Sequence, residues 1–219
     1  MKIILLISAF LITSILGCNN QTINELPQQN PSETTTTAIA VTNSPEKIKF
    51  KTEFGADLFS LKQQTNEAKL VDGNEQELAK MREEEPGKLK IKNASDKVLG
   101  YVIREKGLWT IKNPEQTQSL YILKRHNAQK YTLEDTTKKE IYQIKTQNDR
   151  WEINTPQQNL LYQVRIRDGK TSLRNASANT VFSTKSEIAP IAFACFGLDI
   201  LTREQQAALA YAVNLTGGQ

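Results

Sequence analysis

The second half of the chain alternates apolar and polar residues in short segments that recur about every twenty residues. Partner segments such as Leu108–Ile111 and Arg150–Ile153 lie between the recurrences, and turn pairs such as Asp168-Gly169 separate the segments. Asp-Gly between alternating segments is a strong signal for a tight turn between antiparallel strands. The pattern predicts a series of β-hairpins in which each repeat carries one aromatic residue: Tyr101, Tyr121, Tyr142, Tyr162 and Phe182.

The alternation also assigns faces to the predicted sheet, because residues two apart on a strand point to the same side. One face is aromatic and aliphatic, and a second element has to cover it. The pairs that share this face are Tyr101 and Ile103, Tyr121 and Leu123, Tyr142 and Ile144, Tyr162 and Val164, Trp109 and Ile111, and Trp151 and Ile153.

The element that can cover this face lies between Ile188 and Gly217. An apolar run, Ile188–Phe196, precedes a capping box at Thr202–Gln205, and Ala207–Val213 then presents apolar side chains on every side of a helix. Such a helix is enclosed, and it is shorter than the about 20 residues that span a bilayer. We therefore expect a mainly β (α+β) fold: an antiparallel meander of about twelve strands curled into a barrel around a buried C-terminal helix.

The segment before these repeats is less regular. Lys47–Phe54, Asp57–Lys62 and Ala68–Val71 are predicted to be strands. Glu75–Glu85 has Leu78 and Met81 three residues apart among charged residues, which favours a short surface helix or a loop insertion. In that setting the three consecutive glutamates, Glu83 to Glu85, are expected on a solvated face rather than in a metal or acid site.

The N-terminus has the features of an export signal. Residues 1–17 combine Lys2 with an apolar segment, Ile3–Leu16, as a secretory signal peptide does. Ile15-Leu16-Gly17-Cys18 resembles the lipobox of bacterial lipoproteins, which implies that Cys18 is diacylated and becomes the mature N-terminus. Residues 18–46 are then expected to form a polar tether, and 47–217 the barrel domain. If the host has two membranes, Asn19 directly after Cys18 favours anchoring of the protein in the outer membrane, facing the periplasm.

Composition adds little to this picture. The formal net charge of +4 permits weak attraction to anionic surfaces but does not require a nucleic-acid partner, and we expect none. Lipidation of Cys18 leaves Cys195 without a disulfide partner, and its apolar neighbours predict a buried, inert thiol.

Catalytic signatures are missing from the sequence. There is no G-x-S-x-G, H-E-x-x-H, phosphate-binding glycine loop or Cys-x-x-Cys. The one histidine, His126, falls at a predicted hairpin tip and is expected to be exposed. Asp199 is expected to accept hydrogen bonds from backbone amides near the helix start. We therefore expect no catalytic residue, no metal site and no cofactor.

One set of charges stands out from this background. Five basic residues occupy the same place in each repeat, three residues after the aromatic, and alternation predicts that they face outward near one end of the barrel. Near a membrane they could contact anionic headgroups, although basic residues on an outer face also simply keep strands soluble. The five candidates for an anionic-lipid rim are Arg104, Lys124, Lys145, Arg165 and Lys185.

A barrel of hairpins around an apolar C-terminal helix is similar to the tubby C-terminal-like superfamily, which includes the LURP-one-related proteins and the phospholipid scramblases. The matching features are the hairpins from Leu89 to Lys185, the apolar lead-in Ile191–Gly197 and the terminal helix Arg203–Leu215. Together these expectations describe a non-enzymatic, membrane-anchored envelope lipoprotein whose barrel binds anionic lipid or an envelope protein. An enzyme, hydrolase-like, with a site at the barrel mouth and a purely structural scaffold are the alternatives, and the oligomeric state is left open.

Overall fold

The computed structural model describes residues 46–218, so the predicted signal peptide, the Cys18 lipidation site and most of the tether lie outside the described residues. Two short helices follow the last strand, α1 (Pro190–Ala194) and α2 (Arg203–Asn214), and a 3-10 turn at Cys195–Gly197 lies between them. The strands are β1 (Glu46–Lys51), β2 (Asp57–Gln64), β3 (Glu67–Asp72), β4 (Glu77–Glu85), β5 (Lys88–Asn93), β6 (Val98–Glu105), β7 (Leu108–Lys112), β8 (Ser119–Asn127), β9 (Lys130–Asp135), β10 (Glu140–Gln147), β11 (Arg150–Asn154), β12 (Leu160–Arg167), β13 (Lys170–Asn175) and β14 (Thr180–Thr184).

Each strand pairs antiparallel with the next one along the chain, and β14 pairs back onto β1 to close a barrel. The predicted mainly β, barrel-forming meander is therefore confirmed, with fourteen strands rather than about twelve. We call the end at which β1 begins and the even-numbered strands finish the near rim, and the opposite end the far rim.

The segment predicted to be a surface helix or loop is strand β4. Ala79 and Met81 are fully buried and alternate with Lys80 and Arg82 on the outer side, as a strand requires. Leu78 is the extra residue of a β-bulge, since Leu70 pairs with Ala79 while Val71 pairs with Glu77. The bulge changes the apolar spacing from two to three, and this spacing of three imitates a helix.

Similar bulges occur in each of the seven even-numbered strands, at the same place near the far rim. Each one bends its strand and increases the local twist, which helps a long meander to close. The inserted residue is apolar every time: Leu58, Leu78, Leu99, Leu120, Ile141, Leu161 and Val181.

The far-rim turns repeat as regularly as the bulges. Each begins with an Asp, Asn or Thr whose side chain accepts a backbone amide hydrogen bond within the turn; Asp135, for example, accepts from Thr137 and Lys139 at 2.8 and 3.0 Å. The Thr137 hydroxyl also donates to this carboxylate, at 2.7 Å, and this bond together with the amide bonds holds the pKa of Asp135 below its usual value. The turns start at Thr52, Asp72, Asn93, Asn113, Asp135, Thr155 and Asn175, so the hairpin repeat extends back to β1.

The predicted inward position of Tyr101 and Ile103 is wrong. Tyr101 pairs with Lys90 and Lys112 on the outer face, where the ammonium groups of Lys88 and Lys90 lie 5.5 and 5.7 Å from its ring centroid. Gly100, which pairs with the buried Ile91, occupies the inward position that Tyr121, Tyr142 and Tyr162 occupy in the later repeats. A Cβ there would approach the Lys112 carbonyl oxygen to 2.4 Å, so no aromatic side chain fits. The other predicted inward pairs keep their face, with Leu123, Ile144 and Val164 buried.

The interior of the barrel is filled by the C-terminal helices. α2 carries the predicted capping box between Thr202 and Gln205, and every side chain from Ala207 to Val213 is buried. It runs from the far rim to the near rim, where the Tyr211 hydroxyl donates to the Gln64 carbonyl oxygen at 3.1 Å. Gly217 follows the helix with a φ of 59°, in the left-handed region that glycine favours at a helix end. The predicted buried helix is therefore confirmed, with α1 as an additional, antiparallel partner.

Replacing Ala208 by Asp tests whether this helix is core. Ala208 is 0% exposed, so Ala208→Asp would bury an unpaired carboxylate at a cost of several kcal/mol, a large part of the about 5–15 kcal/mol that stabilises a typical domain. We expect the variant to lack a cooperative thermal transition by circular dichroism. Ala178→Asp, at an exposed far-rim turn, is the matched control and should unfold like the parent protein. A folded Ala208→Asp variant would contradict an enclosed helix.

The barrel is closed mainly by aromatic side chains. β1 shares six register pairs with β2 but only one, Lys51 with Ser183, with β14. Phe50 of β1 is fully buried, and its ring centroid lies 4.4 Å from that of Phe59, 4.8 Å from Phe196 and 5.8 Å from both Phe182 and Phe193. These contacts join the two ends of the sheet to the helices inside it.

Phe50→Ala should therefore open the β1–β14 junction first. Truncating a buried Phe costs about 3–5 kcal/mol, and here the loss falls on a junction with few backbone bonds. Hydrogen exchange should show the amides of β1 and β14 losing protection more than those of β8 and β9. Phe54, which is 96% exposed in the β1–β2 turn, supplies the control Phe54→Ala. Equal loss of protection in all strands of the Phe50 variant would exclude a locally weak junction.

Candidate functional site: the basic outer face

The five predicted rim cations come from successive even-numbered strands and lie in the near-rim half of those strands or, for Lys185, directly after β14. Four of them face outward, as predicted. Lys124, Lys145 and Arg165 each neighbour an inward, buried residue on their own strand, and Lys185 lies two residues beyond the outward Ser183. Arg104 is the exception.

Arg104 faces the barrel interior because the repeat is shifted by one residue at Gly100. Its register partner is Trp109, which is fully buried on the inner face. The Arg104 guanidinium Nη2 donates to Glu83 Oε1 at 2.9 Å, and that oxygen also accepts from the Gly87 amide at 2.8 Å. The predictions of an outward Arg104 and a solvated Glu83 are therefore both corrected: the two form a part-buried pair, with side chains 21% and 19% exposed.

Far-rim turns determine which outward cations are satisfied. Lys145 Nζ donates to Gln158 Oε1 at 2.8 Å, and Gln158 is the positive-φ residue of the next turn. Lys62, in the equivalent place on β2, pairs at 2.7 Å with Glu75, its equivalent turn residue, whose pKa is lowered to about 2 by hydrogen bonds from Lys47 and then Lys62.

The equivalent turn residue is Lys138 for Lys124 and Ala178 for Arg165, and neither side chain offers an acceptor. Lys124, Arg165 and Lys185 form no ion pair with another residue in the described range 46–218. These three are therefore the predicted rim cations that remain open to an anion from outside the domain.

Arg165 and Lys185 line a common groove on the outer face of β12, β13 and β14. The groove has a volume of about 500 Å³, and three further cations line it: Arg167, Lys170 and Arg174. A second groove of about 480 Å³ follows the β1–β14 junction and shares Lys170 and Lys185 with the first. The place of Arg174 in this groove was not predicted, because its proximity to Arg165 depends on the pairing of β13 with both of its neighbours.

The far mouth of the barrel holds a second polar group, around the loop that joins the helices. The Tyr162 hydroxyl donates to Asp199 Oδ2 at 2.9 Å, so Asp199 is bound by a tyrosine rather than by the backbone amides that were predicted. Burial, followed by this hydrogen bond, raises the pKa of Tyr162 to about 12. Burial also lowers the pKa of Arg203, whose guanidinium carbon lies 4.9 Å from the Phe59 ring centroid. These contacts fix the loop to the barrel wall.

The remaining residues that the sequence raised as candidates for chemistry are His126 and Cys195. His126 is exposed, and its Nε2 lies 2.9 Å from the Thr132 hydroxyl. Cys195 is fully buried, as predicted; burial raises its pKa, and its thiol contacts the Ile191 carbonyl oxygen at 3.4 Å. Among the described residues no three His, Cys, Asp or Glu side chains form a group that could hold a metal ion. No helix in the same range is long and apolar enough to cross a membrane.

Comparison with known proteins adds one distant structural similarity. No protein-family model and no curated protein matches this sequence. A solved structure of a protein from Arabidopsis thaliana is similar over 64% of this chain and 80% of that chain, with 15% sequence identity and a TM-score of 0.39. Similarity at this level carries no argument about function. The class of the domain rests on its own architecture, a closed fourteen-stranded antiparallel barrel with an internal pair of helices.

The inward pair of Arg104 and Glu83 can be tested by a double-mutant cycle. Arg104→Met leaves Glu83 part-buried without its cation, and Glu83→Gln leaves Arg104 without its anion, so each should lose about 1–3 kcal/mol of stability in urea unfolding. The double variant should lose clearly less than the sum of the two. Strict additivity would mean that the two side chains do not interact in solution.

Proposed function

We propose that this chain is a lipid-anchored envelope protein whose barrel is a binding domain, without catalytic activity, for an anionic membrane surface. The observation that carries the proposal is the set of unpaired outward cations, Lys124, Arg165 and Lys185, in the near-rim half of the barrel. A basic residue close to an anionic bilayer contributes about 1 kcal/mol of attraction, so several acting together give useful but reversible contact.

The direction of the chain supports an arrangement in which the near rim faces the membrane. Glu46, the first described residue, pairs with Gln63 next to the near rim, so the chain enters the barrel at the end where these cations lie. The proposed lipid on Cys18 would supply stable attachment, because several acyl chains hold a protein at a bilayer where one does not. The basic residues would then set the orientation of the domain rather than its residence on the membrane.

The architecture is also in keeping with the resemblance to the tubby C-terminal-like superfamily, which we retain as part of the proposal. The predicted features of that resemblance, hairpins followed by an apolar lead-in and a buried terminal helix, correspond to β5–β14, α1 with its 3-10 turn, and α2. The filled interior supports a binding surface on the outside of the barrel rather than within it.

Vesicle binding tests the proposed function. A fragment beginning at Thr42 contains the whole described barrel with its core but no lipid, so its binding reports the barrel surface alone. We expect sedimentation with vesicles of phosphatidylcholine and phosphatidylglycerol, little with phosphatidylcholine alone, and weaker binding as salt rises. Replacing Lys124, Arg165 and Lys185 by Glu should abolish it.

The matched control replaces three other far-rim lysines, Lys97, Lys112 and Lys139, by Glu, which gives the same change in net charge. This control should still bind, because its substitutions lie at the far rim. Equal loss in both triple variants would show that only net charge matters, and the proposed orientation would then be wrong.

A further inference from the structure

A row of outward side chains crosses five neighbouring strands next to the β1–β14 junction. Strand register links these residues in pairs from β11 to β1, and directly opposed residues in an antiparallel sheet share a face. The row contains two serines between basic residues, in the order Arg150, Arg165, Ser172, Ser183, Lys51.

Ser172 explains why a groove exists at this place. It is a short side chain on a strand whose neighbouring outward residues, Lys170 and Arg174, are long. Ser172 therefore lies at the floor and the basic side chains form the walls. Ser183, opposite Ser172 in the strand register, is only 4% exposed and lines the neighbouring groove along the β1–β14 junction.

The groove has a strong and uncompensated positive charge. Five cations and two carboxylates line it, which leaves an excess of three positive charges. The carboxylates belong to Asp149 and Asp168, both in near-rim turns, and Asp168 lies 3.5 Å from Arg167 with both side chains about nine-tenths exposed. Within the described part of the chain, Arg165, Lys170, Arg174 and Lys185 have no ion-pair partner.

The donor set matches a tetrahedral oxyanion. Guanidinium groups offer paired N–H donors to two oxygens of a phosphate, ammonium groups add compact charge, and serine hydroxyls donate to a third oxygen. The Ser172 hydroxyl has only a long contact of 3.4 Å, to the Arg165 carbonyl oxygen, so it can turn to a ligand at little cost. Diffuse attraction to a bilayer would not require a hydroxyl donor at the floor of the groove.

We propose that the groove between β12 and β14 is a discrete binding site for a phosphate monoester, with Ser172 at its floor and Arg165, Lys170, Arg174 and Lys185 around it. This inference rests on the proposed function, because both proposals use Arg165 and Lys185. It differs from general attraction to a membrane because a discrete site saturates at one ligand per chain and prefers a terminal, doubly charged phosphate. Such a group can come from a lipid headgroup or from a soluble phosphorylated molecule.

Two binding measurements separate these sources, both made with the fragment that begins at Thr42. Titration calorimetry with glycerol 3-phosphate tests the soluble ligand and should give saturable, one-to-one binding. Vesicle sedimentation then compares phosphatidic acid, a monoester, with phosphatidylglycerol, a diester, at matched surface charge. Phosphatidic acid should bind more tightly.

Three variants assign any binding to the groove. Ser172→Val fills the floor without changing the charge and should weaken glycerol 3-phosphate binding about tenfold, the loss expected when one well-placed donor is replaced by an apolar group. Arg165→Gln removes one wall cation and should weaken binding at least as much. Arg82→Gln removes an exposed cation from the outer face of β4 and should leave binding unchanged. Thermal melts check that each variant is folded.

The outcomes distinguish the two proposals. Saturable glycerol 3-phosphate binding that Ser172→Val weakens supports the groove even if vesicles do not bind, in which case the membrane function fails alone. Equal binding to the two kinds of vesicle, with no effect of Ser172→Val, overturns the groove and leaves the membrane function standing. An effect of Arg82→Gln as large as that of Arg165→Gln also overturns it, because binding would then depend only on total charge.

Discussion

The width of the barrel is the constraint on which the rest of the structure depends. Inward side chains alone fill a barrel of about eight strands, and fourteen strands enclose a much wider space. Here α1 and α2 fill that space, and their small residues, from Ala192 and Ala194 to Ala212, let two helices fit side by side within the wall. Because the interior is occupied by the chain itself, the outer face and the rims are the surfaces that a ligand could reach.

The sequence predicted the barrel and its enclosed helix because both depend on local signals. The hairpin period, the turn residues and the capping box at Thr202 are readable without long-range contacts, and each is present in the structure. The errors at β4 and at Tyr101 have one physical cause. A β-bulge near the far rim adds a residue to each even-numbered strand, so strict alternation fails at Leu78 and at Leu99. Wherever the inward residue after the bulge is not aromatic, as at Ala79 and Gly100, the sequence gives no sign of the shift.

The candidate site could be predicted only in part. The outward positions of Lys124, Lys145, Arg165 and Lys185 follow from the period, but Arg104 was misplaced through the same shift at Gly100. The groove was not predictable, since it needs the register of several strands at once to bring Ser172 together with Arg165 and Lys185. Whether an outward cation is free to bind an external anion depends in turn on the residue at the equivalent far-rim turn. Gln158 accepts a hydrogen bond from Lys145, whereas Ala178 has no side-chain acceptor for Arg165.

The single register pair between β1 and β14 also affects the order in which the domain folds. Neighbouring hairpins can form as soon as their residues are made, but Phe50 has to wait for Phe182, Phe193 and Phe196, which come from the other end of the chain. Contacts that join distant parts of a chain form slowly, because the chain loses the entropy of closing a long loop before the contact forms and stabilises it. Until that last step β1 and β14 are open sheet edges, so a newly made chain is exposed to wrong pairing with other strands until its C-terminal helices are in place.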